Sequence, residues 1–109
     1  MNVVMQEILA QAYAATALYA SVHTDDPGVT GDNELGGGRE PITWNVGTED
    51  GEVVSDPVVF AVPDGTDLTH VGIWTDATGG DFLDSLANSV SFPVAGSYEV
   101  TLTYIQNAT

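Results

Sequence analysis

The chain has 109 residues, which is room for one domain built around one hydrophobic core. Its 43% hydrophobic content is ordinary for a folded globule and argues against a disordered chain. Sixteen acidic residues stand against one basic residue, Arg39, for a net charge of −15. This balance excludes the basic stripe that a nucleic-acid binder needs and disfavours contact with anionic lipid.

The lack of lysine also predicts an environment of high salt. So much like charge on a small body repels itself in dilute buffer and works against compaction. At about 1 M salt the Debye length falls to about 3 Å, and this repulsion is largely screened. We therefore expect a halophilic protein. The alternative is an acidic protein from an environment of ordinary salt concentration, which would usually keep several lysines on its surface.

The sequence contains no cysteine, which excludes disulfides, thiolate metal sites and cysteine nucleophiles. Its first residues, MNVVMQEILAQAY, have no positively charged segment and include Glu7, so they do not resemble a signal peptide. No apolar run approaches the 18 or so residues of a membrane span. We expect a soluble protein that the standard secretion route does not export.

The first 15 residues have the spacing of an amphipathic helix. Apolar residues recur at intervals of three and four, and the polar residues Gln6, Glu7 and Gln11 lie off that stripe. The apolar positions are Val4, Ile8, Leu9, Ala12 and Ala15. A small domain fills its inner faces with its own side chains, so we expect Val4, Ile8 and Leu9 to form an assembly helix that docks on a partner.

From residue 16 the period changes to two, which is typical of strands. Leu18 to His23 predicts a half-buried strand, and residues 24–39, rich in Gly and Asp, predict a long exposed loop anchored by Leu35. Further short strands follow at spacings of about 8–12 residues. Their marker positions are Ile42, Trp44 and Val46; Glu52 to Ser55; Val58, Phe60 and Val62; Val71 and Ile73; Phe82 and Leu83; Val90, Phe92 and Val94; and Tyr98, Val100, Leu102 and Tyr104.

This pattern predicts a mainly β fold, a small β-sandwich or jelly-roll-like barrel with one N-terminal helix. We expect residues 1–109 to form a single domain, with the helix over 1–15 and the sandwich over 16–109. Pro93 predicts that the strand around it lies at a sheet edge.

The loop is the only place where the sequence offers a metal site. Hard cations such as Ca²⁺, Mg²⁺ or Na⁺ prefer several carboxylate oxygens on flexible backbone, and four carboxylates crowd this Gly-rich segment. They are Asp25, Asp26, Asp32 and Glu34. Their spacing does not match a calcium-binding loop, and solvated carboxylates without an ordered ion are the alternative. Arg39, the single cation, is expected to form a structural ion pair that ties the loop to the sheet. We expect no other cofactor.

Catalytic chemistry is not supported by the sequence. His23 and His70 each lie in a predicted strand with no nucleophile elbow nearby, and abundant carboxylates carry no specific glycosidase signal. Trp44, Trp74, Tyr19, Tyr98 and Tyr104 are expected to pack in the core and on the sheet faces, with an aromatic binding surface as the alternative.

Two stretches resemble a known group of proteins. They are LYASVHTDDPGVTGDNELGGGREPITWN and GEVVSDPVVFAVPDGTDLTHVGIWTDATGGDFL, which together cover most of the chain from Leu18 to Leu83. This arrangement resembles small tail-fibre, minor virion and head-decoration proteins of tailed bacteriophages. The resemblance implies a virion structural role without catalysis, and it carries no functional residues over. The chain departs from that group in its near-absence of Lys and Arg, which points to a tailed virus of a halophilic archaeon.

Together these features predict a non-enzymatic protein on the surface of a virion, assembled in the host cytoplasm. Capsid decoration as a symmetric homo-oligomer is the leading expectation, with the major capsid protein as its partner. A tail or baseplate component, in contact with tail proteins, is the alternative within the same class. A carbohydrate-binding sandwich that recognises the host surface is the alternative from another class.

Overall fold

The computed structural model describes residues 2–36 and 38–106. They form one helix and nine strands, so the fold is mainly β with a single helix, as predicted. The elements are α1 (Val3–Thr16), β1 (Tyr19–His23), β2 (Glu40–Pro41), β3 (Trp44–Val46), β4 (Glu52–Ser55), β5 (Val58–Val62), β6 (Thr66–Trp74), β7 (Phe82–Phe92), β8 (Gly96–Val100) and β9 (Thr103–Ile105). Within these residues, no helix has the length and hydrophobicity needed to cross a bilayer.

Helix α1 is fixed at both ends by local hydrogen bonds. The side chain of Asn2 accepts from the backbone N–H of Met5 at 3.0 Å, which satisfies one of the free donors of the first turn. At the other end the N–H of Ala17 donates to the carbonyl of Tyr13 at 2.8 Å. The helix therefore runs one residue past the predicted end, and only Ala10 within it is buried.

The strands form two layers with the core between them. One layer is a four-stranded antiparallel sheet in the order β2-β1-β6-β7. The other is made of two antiparallel ladders, β3-β4-β9 and β5-β8, which are connected where Ser55 and Leu102 exchange hydrogen bonds at 2.8 Å. Core residues alternate along the strands, and in β5 Val58, Phe60 and Val62 are buried while their neighbours are exposed. This arrangement is that of a small β-sandwich.

Two predicted elements differ from the observed ones. The alternation from Tyr98 to Tyr104 predicts one strand, but it divides into β8 and β9, which belong to different ladders. Conversely, the elements predicted around residues 82–83 and 90–94 are a single 11-residue strand, β7. Strand β7 lies at the edge of its sheet and Pro93 follows it directly, so the predicted edge position is correct.

Strand β1 is buried more completely than its alternation indicates. Ala20 and Val22 belong to the sandwich core, as expected for the inward positions of a two-layer fold. Ser21 and His23 on the opposite face are also fully buried, because residues 24–36 fold back over that face. The prediction of a half-buried strand was therefore wrong. Alternation shows which residues share a face, but it does not show what covers the other face.

Candidate functional site

Helix α1 contacts the rest of the protein through its polar side. The side-chain amide of Gln6 donates to the carbonyl of Gln106 at 3.1 Å. The carboxylate of Glu7 accepts from the N–H of Gly51 at 2.8 Å, and Gly51 lies in the turn before β4. These bonds turn the only charge of the helix towards the body of the protein.

The C-terminal half of the helix is fixed by an aromatic contact. The ring of Tyr13 stacks on Tyr104 with 3.9 Å between centroids, and it meets the edge of Trp44 at 5.7 Å. Burial, reinforced by the nearby Asp84 carboxylate, raises the pKa of the Tyr13 hydroxyl well above its ordinary value. Tyr13 therefore stays neutral and acts as the anchor of the helix on the sandwich.

The apolar side of the same helix is left open. Ile8 is 54% exposed and Val4 67% exposed. Leu9 and Met5 are exposed as well. Large apolar side chains that are grouped on one surface mark a contact site more often than chance, whereas scattered ones do not. The assembly-helix residues of the sequence prediction thus lie on an exposed apolar face, which we call the helix face; it consists of Val4, Met5, Ile8, Leu9, Ala12 and Ala15.

The acidic loop, predicted over residues 24–39, is held by backbone hydrogen bonds at Thr24 and at Leu35. Thr24 donates to the carbonyl of Asn33 at 3.1 Å, and Leu35 donates to the carbonyl of Val22 at 2.8 Å. The side chain of Leu35 packs against the core cluster, in the position predicted for an anchor. The loop is therefore a fixed cover of the sheet whose outer side chains remain exposed.

Arg39 connects the end of this loop to the β6–β7 connection. Its guanidinium binds both carboxylate oxygens of Glu34, with Nε–Oε2 at 3.0 Å and Nη2–Oε1 at 3.2 Å. Its Nη1 donates to the carbonyls of Asp76 and Gly79, each at 2.8 Å. The Arg39 Cζ lies 3.4 Å from the centre of the Trp74 ring, a close cation–π contact.

The four carboxylates of the predicted cation site do not converge. Asp25 and Asp26 accept from nearby backbone N–H groups, Asp32 accepts from the Thr30 hydroxyl, and Glu34 is bound to Arg39. In the described part of the chain no group of three or more His, Asp or Glu side chains is placed to hold a metal ion. The cation site remains a prediction from the sequence.

A chain of hydrogen bonds beneath the loop was not foreseen from the sequence. His23 Nδ1 lies 2.7 Å from the carbonyl of Asp32, so this nitrogen carries the proton and donates. His23 Nε2 then accepts from the Ser21 hydroxyl at 2.6 Å, and Trp74 Nε1 donates to the same Ser21 oxygen at 2.8 Å. Gly72 makes room for this chain, since a Cβ there would lie 2.5 Å from His23 Nε2. The i, i+2 spacing of Ser21 and His23 on one strand was the available signal.

The Ser21–His23 pair has the hydrogen bond of a catalytic dyad, but a substrate could not reach it. Both residues are fully buried, and the serine oxygen is already occupied by Trp74. The pKa of His23 is lowered below its ordinary value, mainly because the ring is buried. The ring is therefore kept neutral. The other histidine, His70, is bonded to its neighbour Thr69 at 2.8 Å. The geometry is that of a structural network that orients the loop.

The aromatic residues do not form a binding platform. All nine are in the described residues, and each is buried or half-buried. They pack on one another, as in the Phe60–Tyr98 and Phe92–Tyr98 contacts, or donate to backbone, as Trp44 does to the carbonyl of Ala17 at 2.7 Å. This arrangement does not favour the carbohydrate-binding alternative, which needs exposed ring faces.

A groove of about 200 Å³ lies where β7 faces the break between β8 and β9. Its lining is neutral, with Leu86, Ala87 and Asn88 on one side and residues 100–103 on the other. It brings no titratable groups together, so it lacks the convergent polar chemistry of an active site.

Comparison with known families matches almost the whole chain. The family model described as "Podophage GP4 fiber I protein gp80" covers residues 1–103. The chain belongs to this Gp80 family. Membership supports a viral fibre or other virion structural protein, which confirms the coarser part of the sequence prediction. No curated protein and no solved structure matches this Gp80 chain.

Proposed function

We propose that this chain is a non-enzymatic component of the fibre of a tailed virus, held in the virion through the helix face. The observation that carries the proposal is the orientation of α1: its polar side is bonded to the body, and its apolar side is free. Removing apolar surface from water stabilises a contact by about 25 cal/mol per Å². An open face of this kind therefore favours attachment to another protein surface.

The family description supports a fibre in preference to the capsid, so tail proteins are the proposed neighbours. Capsid decoration, the leading expectation from the sequence, is the alternative and would bring contact with the major capsid protein. A non-enzymatic role is supported because the candidate catalytic groups are hydrogen-bonded within the protein, above all the buried Ser21–His23 pair. The net charge of −15 supports a host that lives in high salt.

Labelled antibodies against the chain, imaged on purified virions by electron cryomicroscopy, test this proposal. Label on the tail is expected. Label on the capsid surface would replace the fibre assignment with decoration, and virions without label would refute a virion role.

The contact surface is tested by virions assembled with altered chains. Ile8→Asp places a charge in the helix face and should remove the label from the virion. The matched control is Val94→Asp, which changes a 74% exposed valine in the turn between β7 and β8 and should keep the label. Equal labelling of both variants would show that the helix face is not the contact.

A further inference from the structure

The middle of the helix face has a regular pattern. Met5, Ile8, Ala12 and Ala15 follow one another at intervals of three, four and three residues, and all four are exposed. They lie on the side of α1 opposite the buried Ala10. Intervals of this kind keep side chains on one seam of a helix, as in helix pairs that pack knobs into holes.

The seam is large at one end and small at the other. Its N-terminal half holds Met5 and Ile8, and its C-terminal half holds Ala12 and Ala15. Helix axes that pack together stay about 8–10 Å apart, and the distance depends on the side chains between them. A straight contact therefore requires a partner whose seam is small where this one is large.

We propose that the helix face binds a second copy of this chain, with the two α1 helices antiparallel. This pairing rests on the proposed function, because it makes a second copy of the chain within the fibre the protein surface to which the helix face attaches. Ile8 then faces Ala12 of the second copy and Met5 faces Ala15, so each large side chain meets a small one. A parallel pair would place large against large at one end, and the helices would diverge at that end.

The negative charge of the two copies does not prevent this arrangement. The only charged residue of α1, Glu7, is bonded to Gly51 on the body side and stays outside the contact. In this pair the helices lie in the middle and the sandwiches on the outside. Three packing distances of about 10 Å each, sheet to helix, helix to helix and helix to sheet, then place the two acidic bodies about 30 Å apart. That distance is nearly four Debye lengths at about 0.15 M salt, so two copies of charge −15 can associate there.

Analytical ultracentrifugation of the full chain in about 1 M NaCl tests the pairing. The contact is short, about 21 Å for 14 residues, so we expect a weak dimer that requires a concentration series from about 5 to 500 µM. Ile8→Asp should give a monomer throughout, and the Val94→Asp control should dimerise as the unaltered chain does. A monomer for the unaltered chain over the whole series overturns the proposal.

A size exchange distinguishes the antiparallel register from unspecific hydrophobic association. Ala12→Leu adds apolar surface, so unspecific association would become tighter. In the proposed pair the new side chain meets Ile8, and this overpacking should weaken the dimer by about 5- to 150-fold. The double variant Ile8→Ala with Ala12→Leu exchanges large and small and should restore most of the affinity. Tighter association of Ala12→Leu, or no recovery in the double variant, refutes the register.

Disulfide formation decides the direction of the helices on a background free of cysteine. An equimolar mixture of the Ile8→Cys and Ala12→Cys chains should form a disulfide-linked heterodimer under oxidising conditions. Ile8→Cys alone should remain unlinked, and efficient linkage of that variant with itself would show a parallel pair. If the purified chain is monomeric while its label on virions still depends on Ile8, the helix face binds a different virion protein. In that outcome the dimer fails and the proposed function stands.

Discussion

Replacing Arg39 by alanine should destabilise the fold strongly. The substitution removes four hydrogen bonds and the contact with the Trp74 ring. It also leaves the Glu34 carboxylate without its cation. The Arg39 side chain is 8% exposed and that of Glu34 is 26% exposed, so water replaces these bonds only in part.

The size of the effect follows from the burial of the pair. Removing one partner of a buried ion pair costs about 3–5 kcal/mol, and the partial exposure of Glu34 places this pair near the lower end, at about 3 kcal/mol. The entropy of unfolding is about 2.1 cal/mol/K per residue, or about 0.23 kcal/mol/K for this chain. The melting temperature should therefore fall by about 13 °C. Arg39→Lys should recover less than half of the loss, because an ammonium group neither binds a carboxylate with two parallel bonds nor stacks on a ring in the same way.

Circular dichroism melts in about 1 M NaCl measure this shift under conditions that screen surface charge. Arg39→Ala also changes the net charge by one unit, so Ser97→Asp, at an exposed position of β8, is the matched control. If Arg39→Ala melts within about 4 °C of this control, the contacts of Arg39 contribute less than about 1 kcal/mol, and the reasoning from burial is refuted.

Three further predictions concern salt, pH and packing. The folded β spectrum should be retained only towards molar NaCl, and a melting temperature that stays flat down to about 50 mM would contradict the halophilic interpretation. The lowered pKa of His23 means that its contribution to stability is complete above about pH 6.5 and is lost as the pH falls from there through the lowered pKa, at up to about 1.4 kcal/mol per pH unit. Urea unfolding between pH 5 and 8 should show this loss of stability for the unaltered chain and for His70→Gln but not for His23→Gln. If the free energy of unfolding of His23→Gln depends on pH as steeply as that of the unaltered chain, His23 is excluded as the cause. Gly72→Ala should cost about 1–3 kcal/mol in urea unfolding, because its Cβ would lie 2.5 Å from His23 Nε2, whereas Gly36→Ala, with open space around it, should be nearly neutral.

The amino-acid sequence by itself determined the features that depend on local pattern. Alternation with period two indicated the strands, as in Val58, Phe60 and Val62, because successive side chains of a strand point to opposite faces. The three- and four-residue intervals of the first segment indicated the helix. As the single cation among many carboxylates, Arg39 was expected to pair with one of them, and the partner that the structure gives it, Glu34, is only five residues away.

The tertiary structure alone decided which faces are covered. Ser21 and His23 alternate correctly for a strand, yet both are buried, because the loop that covers them is held by bonds that the period does not encode. The other partners of Arg39, at Asp76 and Gly79, are 37 and 40 residues away, a separation at which sequence spacing carries no distance information. Periodicity shows which side chains share a face. Whether that face meets the core depends on contacts between distant segments, and it is settled only when the layers pack. In α1 it is the polar side that meets the body, through Glu7.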